Sequence, residues 1–294
     1  MKVGIYGQFY HTDSGKYIEE LLTALDRENI EVVIEKNFYD LILQNEAVIR
    51  EYSNFSTFEE LDASYDLFFS IGGDGTILKS INYIRDLNIP ILGINTGRLG
   101  FLATIQKEEI EQTISTILKK DYTLSHRTVL NITTDPECDD IGPNNFALNE
   151  IAVSRKNTTS MITVETWLDD HYLTSYWADG LIVSTPTGST GYSLSCGGPV
   201  IIPATNALVI TPIAPHNLNA RPLVVQDNTT IKLRVSGREK FYLVSMDSRI
   251  ATLPNETMIT IKTAPFKISM VEMHKDSFLQ TLRKKLLWGE DRRN

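Results

Sequence analysis

Cysteine is scarce in this chain: Cys138 and Cys196 are the only two in 294 residues. They lie far apart and show no CxxC or metal-ligand spacing, so the expectation is two unpaired thiols in a reducing compartment. Positive charge is also short. The net charge is −9, and a chain without a basic excess is not expected to bind nucleic acid. Any anionic ligand must then be met by local donors. No apolar run approaches the length of a membrane span. The opening segment MKVGIYGQFY runs straight into a strand pattern without a signal-peptide apolar region. We therefore expect a cytoplasmic protein with no membrane partner. No internal repeat or low-complexity segment stands out.

What is present is enough apolar material, 42% of the residues, for a sizeable core. The first ~125 residues alternate strand and helix patterns. KVGIYG, IEVVIE, DLFFSI and IPILGI read as buried strands. Helices are expected over 16 to 28, with Ile18, Leu21, Leu22 and Leu25 on one face; near 39 to 51; after Gly75, with Ile77, Ile81 and Ile84 on one face; and over KEEIEQTISTILKK. This alternation implies a parallel, Rossmann-like sheet covered on both faces, with ligands beyond the carboxyl ends of its strands. From about 126 to 271 the pattern changes to short β-rich runs separated by turn clusters, which implies an all-β, sandwich-like domain. SFLQTLRKKLLWG is amphipathic, with Phe278, Leu282 and Leu286 spaced by four. The expected organisation is an α/β nucleotide-binding domain over 1–125, a β-rich domain over 126–271, and a C-terminal helix within 272–294 that packs back on the first.

Four stretches could carry chemistry. GGDGT (72 to 76) follows a strand and opens a helix. It lacks both the Lys-Ser/Thr of a Walker A loop and the GxGxxG spacing. Gly72, Gly73, Gly75 and Thr76 suit a phosphate at a helix N-terminus. Asp74 beside that phosphate could hold a metal, take a proton from an attacking hydroxyl or orient that hydroxyl; the alternative is a helix cap. NTGRLGF (95 to 101) is a second glycine-bearing loop at an equivalent strand end, where Arg98 either meets phosphate or is solvated. FALNEIAVS places Asn149 and Glu150 in an apolar run. They are either a buried pair awaiting polar partners or an edge pair facing water. STPTGSTGYS (184 to 193) reads as a loop displaying Thr185, Thr187, Ser189, Thr190, Tyr192 and Ser193. Ser189 is no hydrolase nucleophile, because its context is not GxSxG.

Together these stretches resemble the NAD kinase family. GGDGT, NTGRLGFL, NE at 149 to 150, DGLIVSTPTGSTGYSLSCGGP at 179 to 199 and TPIAPHNLNARPLVV at 211 to 225 occur in the family's order. TPTGST is highly specific; GGDG loops occur also in lipid kinases and phosphofructokinases. The resemblance implies that ATP, with Mg²⁺ or another divalent metal, phosphorylates the 2′-hydroxyl of the adenosine ribose of NAD, giving NADP. It makes Asp74 the catalytic acid, with Gly75, Lys79 and Phe101 also at the NAD site. Asn149 and Glu150 would hold adenosine. Asp179, Thr190, Gly191, Tyr192, Ser193, Leu194, Ser195 and Ala214 would line the dinucleotide pocket, while direct metal ligands stay unassigned. It also implies a homo-oligomer, a tetramer or a dimer. Three positions depart from the family pattern: Trp177 stands where a basic residue is frequent, Arg249 where a polar residue such as Gln is common, and Gly191 where Ala is usual. NAD contacts at 177 and 249 are the ones these departures affect. The alternatives are a lipid or sugar kinase sharing the GGDG loop, or a non-catalytic dinucleotide-binding sensor.

Overall fold

The computed structural model describes residues 1–8, 14–44, 55–157, 160–273 and 278–287. The chain divides into two units, Met1–His126 with Ile268–Asn294, and Arg127–Lys267. Its elements, in order, begin with β1 (Lys2–Gly7), α1 (Ser14–Arg27), β2 (Glu31–Glu35), α2 (Lys36–Leu43), β3 (Phe55–Phe58), β4 (Leu67–Gly72), α3 (Asp74–Ile84), β5 (Ile91–Asn95), β6 (Ile105–Gln106) and α4 (Ile110–Leu118). There follow β7 (Thr123–Asp135), β8 (Phe146–Ala147), β9 (Glu150–Arg155), β10 (Ile162–Leu168), β11 (His171–Ala178), β12 (Gly180–Ser184), α5 (Tyr192–Ser195) and β13 (Ala207–Ile213). The chain ends with β14 (Leu223–Gln226), β15 (Ile231–Ser236), β16 (Phe241–Met246), β17 (Arg249–Pro254), β18 (Met258–Glu272) and α6 (Phe278–Leu286).

In the first unit the strands lie in the order β18-β5-β4-β1-β2-β3, with β6 on β5, and all pair in parallel. Parallel strands need helical crossovers, which cover both faces of the sheet. Every residue of β4 is accordingly buried. Burying a side chain such as Phe68 or Phe69, each at 0% exposure, stabilises the fold by about 1.5–3 kcal/mol. The helical faces read from the sequence pack inward: Ile18, Leu21, Leu22 and Leu25 on α1, and Ile77, Ile81 and Ile84 on α3, are all buried. The helix expected near 39 to 51 starts earlier and ends at Leu43. Residues 45 to 51 of that expectation lie outside the described residues, as do 274–277 and 288–294 of the C-terminal segment.

The second unit is a β-sandwich. One sheet contains β11-β10-β15-β18 and the other runs β14-β13-β12-β9-β16-β17, with antiparallel pairing throughout both. Here one face of a strand is buried and the other is not. β15, IKLRVS, alternates buried and half-buried positions, the period of two that an antiparallel sheet produces. Val164, Leu233 and Ile261 from one sheet share a core with Ile151, Leu181, Val183 and Val244 from the other. β12 in the middle of its sheet is buried throughout and delivers the chain into TPTGST.

Candidate functional site

Each unit carries a carboxylate that grips three consecutive backbone N–H groups. In the first unit it is Asp74, the first residue of α3. The helix cap is Gly73, which offers no side chain, so Asp74 is not the helix cap that the sequence left open. Its Oδ2 accepts from Phe101 N–H at 2.8 Å, and its Oδ1 accepts from Leu102 and Ala103 N–H at 3.0 Å each. A carboxylate offers about four lone-pair positions, so one stays unfilled, on Oδ2. The gripped loop is held from its other side by buried Asn95, which donates to Arg98 O (2.7 Å) and Ala103 O (3.3 Å) and accepts from Gly97 N–H (2.7 Å). NTGRLGF is therefore a rigid partner of GGDGT, and Arg98 points to solvent.

The glycines of GGDGT divide by role. Gly72 has φ +151, and a Cβ there would lie 2.2 Å from Thr76 Oγ1. Glycine at 72 is therefore required by the fold itself rather than by the need to clear room for a phosphate. At Gly73 and Gly75 a Cβ would meet nothing within 4 Å, so those two border open space. Thr76 is buried, its N–H bonded to Gly73 O at 2.9 Å. Its N–H is thus committed to the turn, while its buried hydroxyl has no hydrogen-bond partner. The N–H groups of Asp74 and Gly75 precede the first helical bond and stand at the positive end of the helix dipole. Lys79 is exposed on the same helix. Phe101 is half-buried, its ring 6.2 Å from that of Phe278 and 5.9 Å from Lys285 Nζ.

In the second unit the gripping carboxylate is Asp247, in the β16–β17 turn with φ +53. Oδ2 accepts from Leu148 N–H at 2.8 Å, and Oδ1 from Asn149 N–H at 2.8 Å and Glu150 N–H at 3.2 Å. The carbonyls of the same three residues are also taken. Thr185 donates its hydroxyl to Leu148 O (2.6 Å) and its N–H to Asn149 O (2.9 Å), and Asp247 N–H donates to Glu150 O (3.0 Å). Backbone fully paired in this way leaves only the side chains to seek partners. Asn149 Oδ1 and Glu150 Oε2 are buried without any, as is Thr187 Oγ1. Burial pushes the Glu150 carboxyl up to about 8; the charge of Asp247 adds to this, and the Tyr192 N–H opposes it. Burial also raises Asp247, against the pull of its three N–H donors and Arg249. Glu150 is thus a neutral acid at pH 7, able to donate as well as accept.

STPTGSTGYS is not the displayed loop the sequence suggested. Thr185, Thr187, Ser189 and Ser193 are buried. Ser189 donates to Pro186 O at 2.7 Å, and Ser193 shares a 2.8 Å hydrogen bond with Thr211, so that hydroxyl is not presented outward. Gly188 to Thr190 form a 3-10 turn leading to α5. Thr190, Gly191 and Leu194 are half-buried, and Tyr192 and Ser195 are exposed. A Cβ at Gly191 would lie 3.0 Å from Glu150 Oε2, so glycine widens the space beside that atom. Asp179 is paired with Arg155, Nε to Oδ1 at 3.0 Å. Trp177 is 51% exposed, edge-on to His216 at 5.2 Å, and its backbone N–H donates to Asn217 Oδ1 at 2.7 Å. Ala214 is exposed with φ +44. Arg249 turns inward to the carbonyls of Asn144 and Phe146, its guanidinium over the Phe146 ring at 5.0 Å. Its guanidinium is engaged within the domain, which burial accompanies by lowering its pKa against the influence of Asp247.

Asp247 and the anchoring role of Thr185 were not read from the sequence. Nothing in the sequence signalled the reach of Asp247 across 97 residues to Glu150. Among the described residues no three His, Cys, Asp or Glu side chains gather as a metal cage. The open carboxylate position on Asp74 would suit a divalent ion that came with phosphate oxygens, the usual mode for Mg²⁺.

Residues 3–122 match the family model described as the ATP-NAD kinase N-terminal domain, and 148–273 that of the ATP-NAD kinase C-terminal domain. The chain is 70% identical over 294 residues to a NAD kinase of Christiangramia forsetii and 57% identical to one of Flavobacterium psychrophilum, covering 100% of each chain in both cases. Among solved structures, a NAD kinase from Archaeoglobus fulgidus in complex with ATP superposes with a TM-score of 0.76 at 26% identity, covering 98% of this chain and 99% of that one. Yeast NADH kinase complexed with NADH has the same fold, with a TM-score of 0.87 at 24% identity over 99% of this chain and 89% of that one.

Proposed function

Since the chain belongs to the NAD kinase family, we propose how its residues divide the transfer of the γ-phosphoryl group of ATP to the 2′-hydroxyl of the adenosine ribose of NAD. Asp74 carries the reading. Its carboxylate is fixed by three backbone donors and keeps one lone pair open on Oδ2. That position accepts the proton of the 2′-hydroxyl as its oxygen bonds to phosphorus and the bond from phosphorus to the ADP oxygen breaks. Phosphoryl transfer asks for positioning and charge stabilisation more than covalent chemistry. The first turn of α3 supplies both to phosphate, and Gly73 and Gly75 leave the approach clear. A divalent ion arriving with ATP neutralises phosphate charge.

Asn149 and Glu150 take the adenosine, because each presents a buried oxygen without a partner on a backbone that is fully paired. Thr190, Gly191, Tyr192, Leu194 and Ser195 form the accessible part of the TPTGST segment, and Tyr192 offers a flat face for a ring. Lys79, Phe101, Asp179 and Ala214 complete the proposed NAD set. Incubating the protein with NAD, ATP and Mg²⁺ tests the reading. NADP with a 2′-phosphomonoester by phosphorus NMR is the expected product, and a 3′ ester or no NADP would overturn it.

We also propose a cytoplasmic homo-oligomer, a tetramer through the β-rich unit. Tyr172, Trp177, Ile202 and Leu218 are exposed there, Leu218 at 91%, and apolar side chains of this kind favour coverage by a second copy. No described helix is long and apolar enough to cross a membrane. A light-scattering mass near 33.2 kDa would defeat the oligomer.

A further inference from the structure

We propose that Asp247 is a positioning residue of the kinase reaction: by gripping Leu148, Asn149 and Glu150 through their N–H groups, it aims the Asn149 and Glu150 side chains at the acceptor nucleoside. The inference deepens the reading given above and rests on the role of Asn149 and Glu150 in it. The geometry is specific. Leu148 and Asn149 form the break between β8 and β9, where strand pairing no longer holds the chain. All three N–H groups of Leu148–Glu150 go to one carboxylate, and all three carbonyls go to Thr185 or to the Asp247 backbone. The segment has no backbone freedom left, while two of its side-chain oxygens have no partner. That is how a binding pair is held ready before its ligand arrives.

Asp247 also acts through charge. The titratable and charged groups facing Glu150 are Asp247 from the β16–β17 turn and Tyr192 and Cys196 from the α5 segment, with Arg249 acting on Asp247. Burial is the larger cause of the raised Glu150 carboxyl, and of these groups Asp247 is the one whose charge adds to it. A protonated Glu150 can donate to a ribose oxygen; an ionised one can only accept. NAD capture should therefore weaken as pH rises through about 8, and the inflection belongs to the Asp247–Glu150 couple.

The experiment measures KM for NAD, KM for ATP and the pH profile of kcat/KM for NAD, which reports groups of the free enzyme, for the wild type and three variants. Asp247→Asn should raise KM for NAD by about tenfold or more, leave KM for ATP unchanged and move the inflection to lower pH. Thr185→Val removes an anchor but keeps the charge; it should raise KM for NAD with the inflection in place. Glu150→Gln should abolish the inflection. An Asp247→Asn enzyme with wild-type KM for NAD, or with an unmoved inflection, overturns the proposal. If that variant does not fold by circular dichroism, Thr185→Val decides, and an unchanged KM for NAD overturns it. If Glu150→Gln keeps the wild-type profile, the role of Glu150 itself fails, and the inference falls with it by a distinguishable route.

Discussion

Asp74 and Asp247 make the same three hydrogen bonds in two unrelated settings. Each collects consecutive N–H groups of a distant segment, with two on Oδ1 and one on Oδ2. The settings differ in what surrounds the leftover lone pair. Asp74 opens a helix beside two glycines whose missing side chains border open space. Asp247 lies in a hairpin turn, surrounded by the segment it holds, with Arg249 and Glu150 as charged or titrating neighbours. The same clasp can therefore serve as a reagent or as a mount. Which one it becomes depends on access, a property of neighbouring residues rather than of the aspartate.

The largest separation between the two clasps should come from Asp74→Asn. An amide oxygen can keep Leu102 and Ala103 but sets an NH₂ group against Phe101 N–H, and it cannot take a proton. We expect kcat to fall by about 10²–10⁴-fold while NAD still binds, measured as NADP formation and by titration calorimetry. Near-wild-type turnover would remove Asp74 from the chemistry and make both clasps mounts. Next in size are the glycines. Gly72→Ala should lower stability by about 1–3 kcal/mol, because of its φ and the contact with Thr76. Gly73→Ala should leave the melting temperature near the wild-type value and reduce turnover. Denaturation and activity measured on both variants separate the two, and equal stability losses would contradict the open space at Gly73.

Glu150→Ala removes the group that the second clasp presents. Losing one hydrogen-bonding partner in a desolvated site costs about 1–3 kcal/mol, so affinity for NAD should drop by about tenfold or more, read by calorimetry. The smallest effect concerns pH and stability. Glu150 in the folded chain is raised from 4.5 to about 8, so the folded state holds the extra proton between those values. Its contribution is fully present below 4.5 and is lost as pH rises through about 8. The gap in melting temperature between wild type and Glu150→Gln should accordingly change in that window, to the wild type's disadvantage at the alkaline end. A pH-independent gap would mean that Glu150 is ionised in the fold.

The α/β unit was legible because parallel strands are buried on both faces, so DLFFSI and IPILGI stand out as apolar runs. Strands with polar alternation were harder. β7, TLSHRTVLNITTD, and β11, HYLTSYWA, passed unrecognised, as did β3 and β17. Most of their Thr, Ser, His and Asn residues occupy half-exposed faces or ends, where hydropathy carries little signal. TMITIKT and FKISMVEM read as two separate β-rich runs; the structure carries one strand, β18, through Pro265 between them. At the site, GGDGT was legible as a strand–turn–helix with an acid. Which of its glycines served the ligand was not, because Gly72 answers to Thr76 and that contact exists only once the turn has formed. Asp247 was invisible for a related reason: its function is a long-range bond.

Gly100 gives the first clasp a consequence for anyone reading mutational maps. A methyl group on it would sit 1.8 Å from Asp74 Oδ1, inside the carboxylate. Alanine at 100 should displace the acid and silence the enzyme as thoroughly as losing Asp74, although residue 100 has no side chain with which to touch a substrate. In a saturation screen it would score as a catalytic position, and the two loops would behave as a single heritable unit, each tolerating change only in step with the other.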